Sequence, residues 1–390
     1  MMKILFWIFL AVILYAYLGY TLLLLVLSGV RRLCCKTVDS VPSEPAPEVT
    51  LLIPAFNEAD FVAAKVRNSV QLDYPREKLK ILWVTDGSTD NTVDLLRQYP
   101  GITVMHEPER KGKIHAMNRC MKTISTPLVV FTDANTLLNP EALGEITRLF
   151  SDERTGCVTG EKRICSADMQ KAVDAGEGLY WAYESWIKRL ESETGSVMGA
   201  VGELFAVRSE LYQPPKEDTL LDDFTLSMEI LKKGYRIRYA PKAWGTETAS
   251  ISIREEMKRK TRIAAGGMQA LTRMTSLLNP FRFGRITLMY FSHKVLRWTL
   301  VPFGFPLIFL LNLLLVMKPG IDKSYIVFFI LQCLYYLLVL AGGALHNVRL
   351  RFRVFFVPYY LFIMNYAILL GFFQFITGHY TVNWQKVRRS

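Results

Sequence analysis

KILWVTDGSTD (80–90) sets the reading of this chain. Ile81, Leu82, Trp83 and Val84 form a short apolar run that stops at Asp86, Gly87 and Ser88. A run of that length closed by a Gly-Ser turn is a strand covered on both faces. VTLLIPAF (49–56), ITVMHE (102–107) and PLVVFTD (127–133) repeat the pattern. Between them, residues 58–71 carry Phe61, Val62, Val66 and Val70 at helical spacing, and 91–99 and 112–124 also read as helices. This alternation predicts an α/β domain, a parallel sheet with helices on both faces. Ligands of such sheets bind beyond the carboxyl ends of the strands. The polar residues there are Asn57, Glu58, Asp86, Asp133 and Asn135. Residues 150–250 are more mixed. They hold an aromatic helix (178–192), the strand-like GELFAVR (202–208) and DDFTLSMEILKKG (222–234), an acid-led helix closed by Gly234.

Outward from this domain the composition changes. The 390-residue chain is 51% hydrophobic, and the excess sits at its ends. Residues 4–27, most of 298–345 and 354–377 carry almost no charge, and a helix of about 20 such residues crosses a bilayer. The first run follows only Lys3, is too long for a signal peptide and lacks a small-x-small cleavage site, so it reads as a retained anchor (1–30). Arg31, Arg32 and Lys36 come next. By the positive-inside rule they place the following domain in the cytoplasm, at the inner membrane of a multi-pass protein. A linker, 31–48, contains the Pro-rich VPSEPAPE (41–48). The α/β domain then spans 49–280. Residues 281–298 contain RITLMYFSHKVLRW (285–298), which suits an amphipathic helix at the membrane surface. Spans follow within 299–378, then a basic tail, 379–390. A single crossing by 354–376 would put Lys386, Arg388 and Arg389 outside, against the charge rule, unless the segment breaks at Pro358 or re-enters. The net charge of +12 fits membrane flanks and a diphosphate cleft. No aromatic-basic motif points to nucleic acid. Six cysteines lack metal-ligand spacing and read as reduced thiols.

The acids at the strand ends invite two readings each. Asp86, followed by Gly87, can accept bonds from a nucleobase or ribose, or cap the next helix, a role Asp90 fills better. Asp133 is well placed for a cation, although such an Asp is structural as often as functional. Asp222 and Asp223 open a helix, where one can cap and the other face the cleft. Lys111, Lys113, Arg259 and Arg262 are candidates for holding a diphosphate, while the remaining bases of 254–275 read as a solvated face.

In order and spacing, these landmarks resemble membrane-bound family-2 glycosyltransferases with a GT-A (Rossmann-like) domain. The polymerising synthases of hyaluronan, cellulose and poly-N-acetylglucosamine are of this kind. The resemblance covers about residues 49–298. The family's nucleotide loop matches IPAFNE (53–58) and so implicates Pro54, Asn57 and Glu58. Its first acid matches Asp86, its lysine Lys113 in RKGKIHAMN, its DxD metal motif Asp133-Ala-Asn135, and its acidic pair Asp222-Asp223. The Q-x-x-R-W motif falls on Arg259–Ile263, with Gln and Trp replaced and Arg262 kept. The resemblance implies an inverting enzyme with Asp223 as base, Mg2+ or Mn2+ at Asp133 and Asn135, and a UDP-sugar donor carrying a hexose or N-acetylhexosamine. The implied acceptor is a glycan or lipid-linked, and accessory subunits fit such a system. Asn135 is a weaker ligand than the family's acid, and the lost Trp bears on the acceptor end. Both departures suit an alternative, a non-catalytic nucleotide-sugar-binding subunit of a polysaccharide synthesis complex.

Overall fold

Eight strands form one sheet: β1 (Val49–Ala55), β2 (Leu79–Asp86), β3 (Ile102–Glu107), β4 (Leu128–Thr132), β5 (Leu137–Leu138), β6 (Thr155–Cys165), β7 (Leu204–Arg208) and β8 (Arg236–Thr248). Their order is β3-β2-β1-β4-β7-β6-β8-β5. These come from a computed structural model, which describes residues 1–34, 45–165, 172–248, 253–345 and 353–380. Residues 35–44 of the 31–48 linker, the basic stretch 346–352 and the tail from 381 lie outside the described residues.

β3, β2, β1 and β4 run parallel, as the alternation implies. Beyond β4 the sheet departs from that expectation. β7 is antiparallel to both β4 and β6, and β5 is antiparallel to β8, while β6 and β8 pair in parallel. The result is a mixed sheet. The parallel half carries the long apolar strands because helices cover both its faces. Leu51, Ile53, Trp83, Val130 and Ala206 lie in its core with Val62 and Val66 of the helix Ala59–Val70. β7 begins just after Gly202 and Glu203, so the reversal at β4 brings those residues into the same sheet as the end of β4.

The chain divides into two compact units. One is the sheet domain, residues Arg32–Cys165 and Glu191–Ile251. The other contains Met1–Arg31, Ser166–Leu190 and Ser252–Tyr380. Among the described residues, three helices that lie wholly or mostly in the second are long and apolar enough to cross a membrane: Met2–Leu33, Lys323–Ala344 and Val357–Thr377. Pro358 lies within the continuous helix Arg353–Thr377. The helices Arg285–Trp298 and Leu300–Val316 meet at a 52° bend and together form a broken span or a re-entrant pair.

In the helix Arg285–Trp298, Arg285 is exposed, while two polar residues turn inward. His293 and Arg297 are buried. Arg297 Nη1 donates to Glu184 Oε1 at 2.6 Å, and His293 Nε2 lies 3.2 Å from Glu184 Oε2. Arg297 Nε donates to the Ala16 carbonyl at 3.1 Å, and Nη2 to Tyr183 Oη at 2.9 Å. The aromatic helix, Ala172–Thr194, therefore uses Tyr183 and Glu184 to pin neighbouring helices. Small residues permit close crossings in the same unit. A Cβ on Gly371 would lie 2.5 Å from Ala264 Cβ and 2.7 Å from the Thr261 carbonyl oxygen.

Candidate active site

The site is assembled at the carboxyl ends of β1, β2 and β4. β1 runs into Phe56, Asn57 and Glu58, β2 into Gly87 and Ser88, and β4 into Asp133. Two of these loops are tied together. The Asn57 amide donates to Ser88 Oγ at 3.1 Å, and Asn57 Oδ1 accepts from the Thr89 amide at 2.8 Å. The Glu58 amide donates to Thr92 Oγ1 at 2.9 Å. Asn57 has φ 55°, the one positive value off glycine among the described residues. Asn tolerates that region because its side chain bonds locally, and here the bond is the one to Thr89. Gly87 also has positive φ, and a Cβ there would sit 2.8 Å from the Arg110 backbone nitrogen.

Asp86 is buried, and its carboxylate is engaged. Oδ1 accepts the Lys111 amide at 3.0 Å and Oδ2 the Gly112 amide at 2.6 Å. Asp86 thus anchors the loop that leads into the helix Lys113–Met121, rather than capping the helix after its own strand. It still lines a shallow pocket with Pro54, Phe56, Val84, Arg110 and Lys113. The Arg110 guanidinium stacks 3.6 Å from the centroid of the Phe56 ring.

Anchoring that loop places Lys113. Its Nζ lies 3.0 Å from Asp133 Oδ1 and 3.2 Å from Asp222 Oδ2. Burial opposes the lysine's charge, but Asp133 and Asp222 outweigh it and hold its pKa above the usual lysine range. Burial lifts the Asp133 carboxyl, against the pull of Lys113. Asp222 and Asp223 sit in the first turn of the helix Asp222–Lys232, whose N-cap residue is Leu221. Burial first, and then the charge of Asp222, push Asp223 up to about 7. Gly202 lies against this carboxylate, since a Cβ there would be 3.2 Å from Asp223 Oδ2.

The Asp133–Thr136 turn closes with the Thr136 amide bonded to the Asp133 carbonyl at 3.1 Å. Asn135 Oδ1 is buried there without a hydrogen-bond partner. An orphaned amide oxygen beside the partly buried Asp133 carboxylate suits an oxygen-seeking divalent cation. Among the described residues no three His, Cys, Asp or Glu side chains group as a metal cage. A cation at this turn would need further oxygens from its ligand.

Residues that sequence reasoning missed support the turn from behind. Lys65 is fully buried; its Nζ donates to Thr132 Oγ1 at 3.0 Å and to the Thr136 carbonyl, bracketing Asp133 and Asn135. Burial lowers its pKa to about 7. The signal was present: positions 62, 65, 66 and 69 make one buried helical stripe, and a lysine on such a stripe demands partners. Lys162 bridges Glu203 and Glu247, the latter at 2.8 Å, and Glu247 accepts from Thr136 Oγ1 at 3.2 Å.

The structure therefore brings together Asp133, Lys113, Asp222 and Asp223. It places Pro54 and Asp86 at the ends of β1 and β2, and Asn57 and Glu58 on the loop after β1. Arg259 and Arg262 are not in this unit. Both lie on the helix Ile253–Arg273, where Arg259 pairs with Glu256 at 2.8 Å.

Residues 45–266 match the family described as glycosyltransferase like family 2. Curated relatives include a poly-beta-1,6-N-acetyl-D-glucosamine synthase of Staphylococcus aureus (strain MSSA476), 28% identical over 265 residues, 65% of this chain and 63% of that protein. The Staphylococcus epidermidis protein of the same name is 25% identical over 290 residues, 71% of this chain and 68% of that one. The match thus spans less than two thirds of the length of the Staphylococcus aureus relative. Among solved structures, a mannosyltransferase from Pyrobaculum calidifontis in complex with GDP-Man and Mn2+ superposes with a TM-score of 0.69. It covers 95% of this chain and 99% of that one at 22% identity, and so shares the fold. The family match covers more than half of the sequence and the mixed sheet agrees with it: this chain belongs to glycosyltransferase like family 2.

Proposed function

We propose that this chain is an inverting glycosyltransferase of the cytoplasmic membrane. In this reading it moves a hexose or N-acetylhexosamine from a nucleotide-diphosphate donor to a glycan or lipid-linked acceptor. The observation that carries the reading is the convergence of three carboxylates and one partly buried lysine at the carboxyl ends of the parallel strands.

Each residue has a task. The pocket lined by Phe56, Asp86 and Arg110 receives the nucleoside. Lys113 offers positive charge to the departing diphosphate. Asp133 and Asn135 hold Mg2+ or Mn2+, which when bound offsets leaving-group charge on the diphosphate oxygens. Asp223 takes the proton of the acceptor hydroxyl as that oxygen attacks the anomeric carbon. A base with a pKa near 7 combines a populated ionised form with real proton affinity, and such catalysis contributes about 10²–10⁴-fold. Asp222 keeps Lys113 beside the cleft and raises Asp223 through its charge.

The donor is proposed to be a UDP-sugar, in keeping with the poly-N-acetylglucosamine synthases matched above. A screen of radiolabelled UDP- and GDP-sugars with the purified full chain in lipid tests this. Labelled product with a UDP-sugar supports it, and product with GDP-mannose alone overturns the donor assignment. Sizing the product separates the acceptor classes. A ladder of lengths means repeated addition to a glycan, and one added sugar means a single transfer.

A further inference from the structure

We propose that Lys113 is the resident counter-ion of the metal turn, and that it makes divalent cation and nucleotide diphosphate bind together rather than independently. The inference rests on the metal assignment made above and concerns what this chain does before the ligands arrive.

Asp133 is the charged residue of the proposed metal turn, and Lys113 Nζ donates to its Oδ1 at 3.0 Å. The lysine is not a loosely held surface group. Only 19% of its side chain is exposed, and it is also paired to Asp222 at 3.2 Å. A divalent ion bound to the same carboxylate would face a positive charge at close range in a site of low dielectric. The ammonium must therefore leave Asp133 when the ion arrives. Without nucleotide, leaving means giving up one of two largely desolvated ion pairs with no phosphate to move to, and breaking such a pair is costly. With a nucleoside diphosphate in the cleft, Lys113 has phosphate oxygens to move to, and the same diphosphate adds ligands to the ion. Each ligand thereby removes the obstacle to the other. By linkage the coupling is reciprocal.

The position of Lys113 is built for this exchange. Gly112 precedes it with φ 101°, and the loop is clamped by the two amide bonds to Asp86. The backbone at the helix start is thus fixed, while the four-carbon side chain can swing from carboxylate to phosphate. Arg would pair with a carboxylate as a planar fork and not as a movable point charge.

The test is Mn2+ binding by the detergent-solubilised full chain, read from the loss of the free-ion EPR signal, with and without UDP or GDP. The wild type should bind Mn2+ weakly alone and at least tenfold more tightly with a nucleoside diphosphate. Lys113→Met should bind Mn2+ at least tenfold more tightly than wild type in the absence of nucleotide, and its gain on adding UDP should shrink. Equal or weaker nucleotide-free Mn2+ binding by Lys113→Met overturns the proposal. Should that variant fail to fold, Lys113→Met/Asp222→Asn retains the charge balance. It should bind nucleotide-free Mn2+ more tightly than Asp222→Asn, and failure to do so counts equally against the proposal. Asp133→Asn separates the two levels of inference. If it leaves Mn2+ binding intact, the metal assignment itself is wrong and the counter-ion role falls with it. If it abolishes binding while Lys113→Met has no effect, only the counter-ion role fails.

Discussion

Asp223 owes its chemistry to where it is buried. An acid with a raised pKa is protonated in both folded and unfolded states at low pH, so it costs nothing there. As pH rises from the ordinary carboxylate range toward about 7, the unfolded chain ionises first, and the folded state pays a growing penalty. Asp223→Asn should therefore stabilise the protein by about 1–3 kcal/mol at pH 8, with the gain vanishing near pH 4. Thermal unfolding in detergent across that range measures it, and a gain independent of pH would count against the burial argument. The same group should govern turnover. kcat/KM, which reports the free enzyme, should climb about tenfold per pH unit below pH 7 and level above it. The place of Asp223 at a helix start was legible in the sequence, because two adjacent acids precede a helical apolar pattern. Its neighbour Gly202 was not, since a glycine's close approach to a carboxylate has no signature in a single chain. Lys65 lay in plain view on an apolar stripe, but its partners, Thr132 and Thr136, come from a strand 67 residues away in sequence and beyond.

Elements aim these residues. Gly202 lies just before β7, whose antiparallel pairing with β4 fixes its backbone beside the acidic helix. Gly202→Ala should displace the Asp223 carboxylate and lower kcat by about 10–100-fold, the scale set by sub-ångström to 1 Å misplacement, without lowering Tm. A parallel fall in Tm would mean the glycine serves packing instead. β1 to β4 were readable because both faces are covered and their apolar runs end at polar turns. β6 and β8 escaped for physical reasons. TGCVTGEKRIC (155–165) places Gly156 and Gly160 where neighbouring side chains and backbone press close, and buries Lys162 against Glu203 and Glu247. A strand whose interior face holds charges and glycines shows no two-residue apolar period. In the other unit, Glu184 pairs with Arg297 and His293 among apolar helices. Glu184→Ala would leave the buried Arg297 charge without its carboxylate, and a loss of about 3–5 kcal/mol is expected, visible as a lower Tm in detergent. No change in Tm would show that the ion pair is solvated.

At the scale of the molecule, a sheet domain of the GT-A kind is joined in one chain to a unit that, among the described residues, holds all or most of three helices able to span a bilayer. The apolar runs were legible from composition alone. The bend at residue 299 and the inward turn of His293 and Arg297 were not, because an amphipathic pattern marks a polar face without saying whether lipid headgroups or a buried glutamate meets it. The proposed activity requires the carboxylate cluster to transfer a sugar, not merely to hold a nucleotide, and Asp223→Asn decides between the two most directly. With purified full chain, Mn2+ and the accepted nucleotide sugar, wild type should release nucleoside diphosphate and label its acceptor. Asp223→Asn should still bind donor with near-normal affinity yet transfer at least 10²-fold more slowly. Transfer by Asp223→Asn at close to the wild-type rate would contradict the account.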